Sequence, residues 1–92
     1  MEFTNTRFGN CKIADLTQGQ LEKFSEAMTG AGDLPMTNWR GKAVRTAISA
    51  GILVAPALTE EQVSEAKPGL IRWIADCIAE VIAEASRIDP LS

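Results

Sequence analysis

The residues from Lys67 to Pro90, KPGLIRWIADCIAEVIAEASRIDP, restrict the fold of this chain more than any other stretch. Apolar residues recur along it every three or four positions, which is the spacing of an amphipathic helix. Pro68 suits the first turn of a helix, and the Asp89-Pro90 pair suits its end. We therefore predict a long helix over residues 68–87.

This last helix has far more apolar surface than polar surface. Its polar residues form one narrow stripe in which members are four positions apart: Arg72, Asp76, Glu80 and Glu84. A helix that is polar on so little of its circumference is either central in its domain or covered by a partner. We expect its apolar face to form core first and to offer the remainder to a partner. The candidate partner-binding residues on this face are Trp73, Ile74, Ile78 and Ile82.

Two shorter helices are indicated by capping boxes, in which a Thr and a Gln three residues later satisfy backbone N–H groups of the first turn. Thr17 and Gln20 have this spacing, and an apolar stripe follows them. Thr59 and Gln62 repeat the spacing. The predicted helices cover residues 17–28 and 60–66.

The segment TNWRGKAVRTAISAG predicts a further helix, over residues 37–50. Thr37 is its expected N-cap, since a threonine hydroxyl can accept a hydrogen bond from the first turn. Gly51 is the expected residue after its C-terminus, where a left-handed backbone is common.

The basic residues of this helix, Arg40, Lys42 and Arg45, lie beside Trp39 and have three interpretations. They are an ordinary solvated helix face, or they contact phosphate or nucleic acid, or they contact an acidic partner protein. Arg and Trp are frequent hot-spot residues of protein interfaces. We keep Trp39, Arg40 and Arg45 as candidate partner-binding residues.

The rest of the chain is predicted to lack regular structure. Residues 1–16 form an irregular N-terminal segment, in which CKIADL has a weak signal for a short extended piece. ILVAPAL has a proline in its middle and is predicted to be a buried extended connection, with Ile52 and either Val54 or Leu53 pointing inward. The expected fold is all-α: a compact single-domain bundle of three main helices plus one short helix.

No enzymatic chemistry is indicated by the residue types. The chain has no histidine, which removes the commonest general base and the commonest metal ligand. Two separated cysteines, Cys11 and Cys77, do not make a usual zinc site. We expect Cys77 to be a small core residue and Cys11 to have a local packing role, with a disulfide between them as the alternative. The sequence therefore predicts no catalytic residue, no metal, no cofactor and no small-molecule substrate.

The charge and hydropathy of the chain exclude further classes. The net charge is −3, from 9 basic and 12 acidic residues, whereas a general nucleic-acid binder needs a basic face. The apolar runs are too short or too interrupted by charge to span a bilayer. The N-terminus has no basic start followed by an apolar stretch, so no secretory signal is expected. The predicted compartment is the cytosol.

Three stretches resemble, in the same order, a group of small proteins encoded among tail genes of long-tailed bacteriophages and prophages. They are IADLTQGQLEKFSEAM, NWRGKAVRTAISAGIL and LIRWIADCIAEVIAEASRIDP, and the likeness covers residues 12–90. The shared layout is a DLTQGQLE opening, a G-x-x-V-R-x-A-x-x-A-G helix, an LTEEQV-like turn and a final R-W-I-A-D-x-I-A-x-x-I-x-E-A helix. This is a pattern of helix positions and contains no catalytic signature.

Small helical proteins of this kind are similar to tail assembly chaperones. The resemblance implies a protein without enzymatic activity that binds the tape-measure protein, keeps it soluble and helps tail-tube subunits assemble around it. It also implies the cytoplasm of the infected bacterial host as the place of action. Another copy of the chain is a possible further partner. The alternatives are a virion component and a small phage inhibitor that docks on a host defence or regulatory protein.

Overall fold

A computed structural model of the chain describes residues 1–85. Within them the fold is mixed, so the prediction of an all-α bundle is wrong: four α-helices pack with a three-stranded antiparallel sheet. A single 3-10 turn, Ala31–Asp33, connects the first two helices. In chain order the elements are β1 (Glu2–Asn5), β2 (Gly9–Ile13), α1 (Gln18–Ala27), α2 (Met36–Ser49), β3 (Leu53–Ala55), α3 (Glu60–Glu65) and α4 (Pro68–Ala85).

The sheet has the order β1-β2-β3, and its first two strands form a hairpin with Phe3 opposite Cys11. The side chain of Asn5 stabilises the turn, because its Oδ1 accepts hydrogen bonds from the backbone N–H groups of Arg7 (2.7 Å) and Phe8 (3.2 Å). Gly9 then adopts a φ of 88°, a conformation that a side chain would disfavour.

The prediction of an irregular segment over residues 1–16 fails because the strands are short. Along β2, Cys11 and Ile13 are fully buried whereas Lys12 is exposed, which is the alternation of a half-buried strand. Five residues contain too few periods for this pattern to be distinguished reliably. The local signal for a hairpin is the pair of turn-forming residues Asn5 and Gly9, at which the first short strand ends and the second begins.

The third strand lies within the predicted extended connection. Leu53 pairs with Ile13, and Ala55 pairs with Lys12, so this strand depends on residues distant in sequence. Ile52 is fully buried, as predicted. Of the two alternatives for the second inward residue, the structure selects Leu53, which is half-buried, whereas Val54 is exposed.

Both predicted capping boxes are confirmed. The Gln20 N–H donates to Thr17 Oγ1 (3.2 Å), and the Thr17 N–H donates to Gln20 Oε1 (3.0 Å). Thr59 and Gln62 make the same pair of bonds, at 3.2 and 2.9 Å. Helices α1 and α3 begin at the residue after each threonine, and their ends agree with the predicted ends to within one residue.

Helix α2 begins one residue earlier than predicted, at Met36, and Thr37 is not its N-cap. The Trp39 N–H donates to the carbonyl oxygen of Pro35 (2.9 Å), so the first helical hydrogen bond starts at Pro35 and places Thr37 inside the first turn. Gly51 follows the C-terminus of the helix with a φ of 72°, and its predicted role is confirmed.

Helix α4 is central in the fold. It packs against α2 on one side and against β2 on another. Six of its residues are buried: Ile71, Ile74, Ala75, Cys77, Ile78 and Val81. Its apolar excess therefore forms mainly core, which is the first of the two alternatives that the sequence allowed. The predicted helix over residues 68–87 agrees with α4 up to Ala85, and its last two positions lie outside the described residues.

Candidate functional site

The seven candidate partner-binding residues lie in four different surroundings. Ile74 and Ile78 belong to the core, with 0 % and 1 % of their surface exposed. Neither side chain reaches the molecular surface, because α2 and β2 cover this part of α4. Trp39 is half-buried and packs against the same core from α2. The other four candidates are half-buried as well: Arg40, Arg45, Trp73 and Ile82.

Trp73 holds the N-terminal hairpin on α4. Its ring stacks on that of Phe8, with 5.9 Å between ring centroids and an interplanar angle of 24°. The guanidinium carbon of Arg7 lies 5.8 Å from the centroid of the same Phe8 ring. Gly69 makes room for this arrangement, since a Cβ there would lie 3.3 Å from Phe8 Cζ. The outer part of Trp73 is thus used within the chain, by an aromatic pair that stabilises the hairpin.

Ile82 lies at an open groove between α1 and the C-terminal half of α4. Three apolar side chains of α1 complete the floor of this groove: Leu21, Phe24 and Met28. We call these four residues the apolar groove. Polar residues surround it, namely Gln18, Glu22 and Ser25 of α1 and Thr29 in the turn after this helix.

The α1 side of the apolar groove follows from helical spacing. Leu21, Phe24 and Met28 stand at positions i, i+3 and i+7, so they share one face of the helix. Phe24 is buried, whereas Leu21 and Met28 are half-buried. The Thr46 hydroxyl on α2 donates to Met28 Sδ (3.9 Å), which ties the end of the groove to the body. Sequence reasoning identified this stripe but did not show that Ile82 lies beside it.

Arg40 and Arg45 lie in a separate cleft, formed by α2, α3 and the first half of α4. Arg72 lines the same cleft, and we call these three residues the arginine cleft. Arg45 Nη2 donates a hydrogen bond to Ser64 Oγ on α3 at 2.6 Å. The sequence places Arg72 only in the polar stripe of the last helix. The stripe showed that it is outside the core, but the fold brings it to the two arginines of α2.

The two cysteines are free and buried, Cys11 on β2 and Cys77 on α4. The predicted core position of Cys77 is confirmed, whereas Cys11, expected to have only a local role, belongs to the core as well. Burial, together with smaller effects of the adjoining Cys11 thiol and the Asp76 carboxylate, raises the pKa of the Cys77 thiol to about 12. Burial also raises the pKa of Cys11, although a hydrogen bond with Cys77 opposes this effect. Both thiols are therefore protonated at neutral pH and are poor nucleophiles.

The described residues provide surfaces for binding. Within residues 1–85, no three His, Cys, Asp or Glu side chains come together in a way that could hold a metal ion. In the same residues, no helix combines the length and apolar character required to cross a membrane. No protein-family model, curated protein or solved structure matches this chain. The function is therefore inferred from the apolar groove, the arginine cleft and the sequence resemblance.

Proposed function

We propose that this chain is a non-enzymatic tail assembly protein of a long-tailed bacteriophage or prophage. In this proposal it acts as a chaperone that binds the tape-measure protein or tail-tube subunits. It works in the cytoplasm of the infected host before the tail is complete. The resemblance of residues 12–90 to small proteins encoded among tail genes supports this role.

The apolar groove is the observation that supports the binding mode. Two helices supply an apolar floor of Leu21, Phe24, Met28 and Ile82, and polar side chains surround it. Such a groove matches an amphipathic helix, whose apolar stripe enters the floor while its polar face stays in water. A chaperone for a long apolar helical protein needs a surface of this kind.

The fold changes which part of α4 is proposed to contact the partner. Ile74 and Ile78 are needed for the core, so the proposed contact moves to Ile82 and to the exposed side of α1. Leu21 is the most informative position on α1, because it is half-buried in the groove and lies outside the set of residues that pack against the core. Its substitution should disturb binding more than folding.

The test is co-expression of the full chain with the tape-measure protein encoded by the same phage. Light scattering on the soluble fraction would show whether the two proteins form a complex. Leu21→Asn should lower the yield of this complex because it places an amide in the apolar floor. Val54→Asn is the matched control, since Val54 is an exposed apolar residue on β3 outside the groove.

The expected result is a soluble complex with the unchanged chain and with Val54→Asn, and little complex with Leu21→Asn. If the unchanged chain remains separate from both the tape-measure protein and the tube protein, the chaperone role is wrong. If Leu21→Asn binds as well as the unchanged chain, the role survives but the apolar groove is not the contact.

A phage inhibitor that docks on a host defence or regulatory protein is the second candidate. The observation that favours it is a set of exposed carboxylates on α3 and α4: Glu60, Glu61, Asp76 and Glu80. Expression of the chain alone in the host should then relieve restriction of a defence-sensitive phage. Reversal of Glu60 and Glu61 to lysine should abolish this relief. Unchanged relief after reversal would contradict the electrostatic docking.

A further inference from the structure

We propose that the arginine cleft binds a carboxylate-rich segment of a partner protein, held by the guanidinium groups of Arg40, Arg45 and Arg72. This site is separate from the apolar groove, and it does not depend on the role in tail assembly. The sequence offered an acidic partner as one interpretation of Arg40 and Arg45, but it did not show that Arg72 joins them in a cleft, because the three arginines come from two helices that are far apart along the chain.

The shape of the cleft suits a peptide segment. It has a volume of about 500 Å³, with walls supplied by α2, α3 and the start of α4. Apart from the arginines, its lining combines apolar side chains with polar ones: Val63, Ile71 and Pro68, and Thr37, Asn38 and Ser64. An isolated phosphate or carboxylate ion would leave most of this space empty. A segment that combines acidic and apolar side chains would fill it.

The charge of the cleft is uncompensated. No Asp or Glu is among the residues that line it. Within residues 1–85, none of the three guanidinium groups has a carboxylate within salt-bridge distance, in contrast to Lys12, whose Nζ lies 4.0 Å from Glu2 Oε1. Three of the nine basic residues of this acidic chain thus line one cleft, and no carboxylate lines it with them. Arginine binds carboxylates in a planar, two-pronged geometry, which makes this cluster complementary to them.

Arg45 is already held in position. Its guanidinium donates to Ser64 Oγ across the α2–α3 boundary, and it lies over Gly41 one turn earlier on α2. A Cβ on residue 41 would be 3.0 Å from Arg45 Nη1, so the glycine creates the space that the guanidinium occupies. A side chain that is fixed before binding loses less conformational freedom on binding.

The surroundings favour a short acidic protein segment over a nucleic acid. Helix α3, which forms one wall, carries the exposed carboxylates Glu60, Glu61 and Glu65. The phosphates of a nucleic acid would extend beyond the cleft in both directions, where these carboxylates would repel them. A short acidic segment can contact the three arginines without reaching the carboxylates. The net charge of −3 also repels a long polyanion.

The experiment is a titration of the full ¹⁵N-labelled chain with a short capped peptide of mixed glutamate and leucine, followed by two-dimensional NMR. The same peptide with glutamine in place of glutamate is the matched probe. The amide signals of Gly41, Ser64 and Gly69 should shift with the acidic peptide and not with its glutamine counterpart. Binding should weaken at high salt because the contact is electrostatic.

Four variants locate the contact. Arg72→Gln and Arg40→Gln should each raise the dissociation constant by roughly fivefold, the upper range for a partly exposed ion pair. Lys23→Gln removes the same charge from an exposed position of α1 outside the cleft and should leave it unchanged. Gly41→Ala keeps every charge but shifts the Arg45 guanidinium by a few tenths of an ångström, so it should weaken binding less than the loss of an arginine does, in a helix that remains folded.

Selective shifts at the cleft, lost with Arg72→Gln and kept with Lys23→Gln, would support the proposal. Equal losses for Arg72→Gln and Lys23→Gln would overturn it, since binding would then reflect net charge alone. Equal affinity for the glutamine peptide would overturn the role of the carboxylates. Tighter, arginine-dependent binding of a short DNA duplex or of inorganic phosphate would reassign the cleft to a phosphate-bearing ligand.

Discussion

The central position of α4 predicts a large difference between two isoleucines one turn apart. Ile78 is 1 % exposed, whereas Ile82 is half-buried at the apolar groove. Ile78→Ala removes three buried carbon atoms, which costs about 2.5 kcal/mol in transfer free energy. The cavity left between α4 and its neighbours adds to this, so we expect a loss of about 3.5 kcal/mol in the free energy of unfolding.

The same substitution at Ile82 should cost far less. Part of this side chain is in water before folding and after it, and the groove is open, so no closed cavity remains. We expect a loss of about 1 kcal/mol. A chain of 92 residues has a stability on the order of 5–14 kcal/mol, so both variants should still fold. If the proposed chaperone role holds, binding of the tape-measure protein should show the opposite ranking, because of these two residues Ile82 alone lines the groove.

Equilibrium urea unfolding measures both losses in one assay. Trp39 and Trp73 are half-buried, so their fluorescence should report the transition. The slope of the unfolding free energy with urea should stay equal among the three proteins, which would show that the same surface is exposed. If Ile82→Ala loses as much stability as Ile78→Ala, the inferred orientation of α4 is wrong. If Ile78→Ala weakens partner binding in the folded protein, the assignment of this face to the core is wrong.

Three further predictions concern local structure and the buried thiols. Gly51→Ala should lower stability by about 1–2 kcal/mol in urea unfolding, because a Cβ is unfavourable at a φ of 72°. Thr59→Ala should cost about 1 kcal/mol in the same assay by removing the α3 capping bond, whereas Thr37→Ala, which removes no cap, should cost less. The pKa of the Cys77 thiol rises from 9.0 to about 12 on folding. Between these pH values the unfolded chain releases a proton that the folded chain keeps. Its free energy of unfolding should therefore fall with rising pH, by at most about 1.4 kcal/mol per pH unit, and Cys77→Ala should reduce this dependence; an equal dependence in that variant would contradict it.

Local signals in the sequence determined the helices. The capping boxes at Thr17 and Thr59 and the glycine at position 51 act through residues within one turn, so no knowledge of the rest of the fold is needed to recognise them. The apolar spacing of residues 68–85 likewise identified α4, and the sequence shows directly that histidine, the commonest general base and metal ligand, is absent.

Three features depend on tertiary structure alone. They are the pairing of the strands, the burial of the apolar face of α4, and the set of residues that line the apolar groove and the arginine cleft. Strand β3 exists because Leu53 pairs with Ile13, a contact whose free energy depends on a neighbour distant in sequence. An apolar helix face has the same pattern whether its cover is the chain itself or a partner, so periodicity could not distinguish the two. Only the packing of α2 and β2 on α4 assigned Ile74 and Ile78 to the core, and only the same packing brought Arg72 to the arginines of α2.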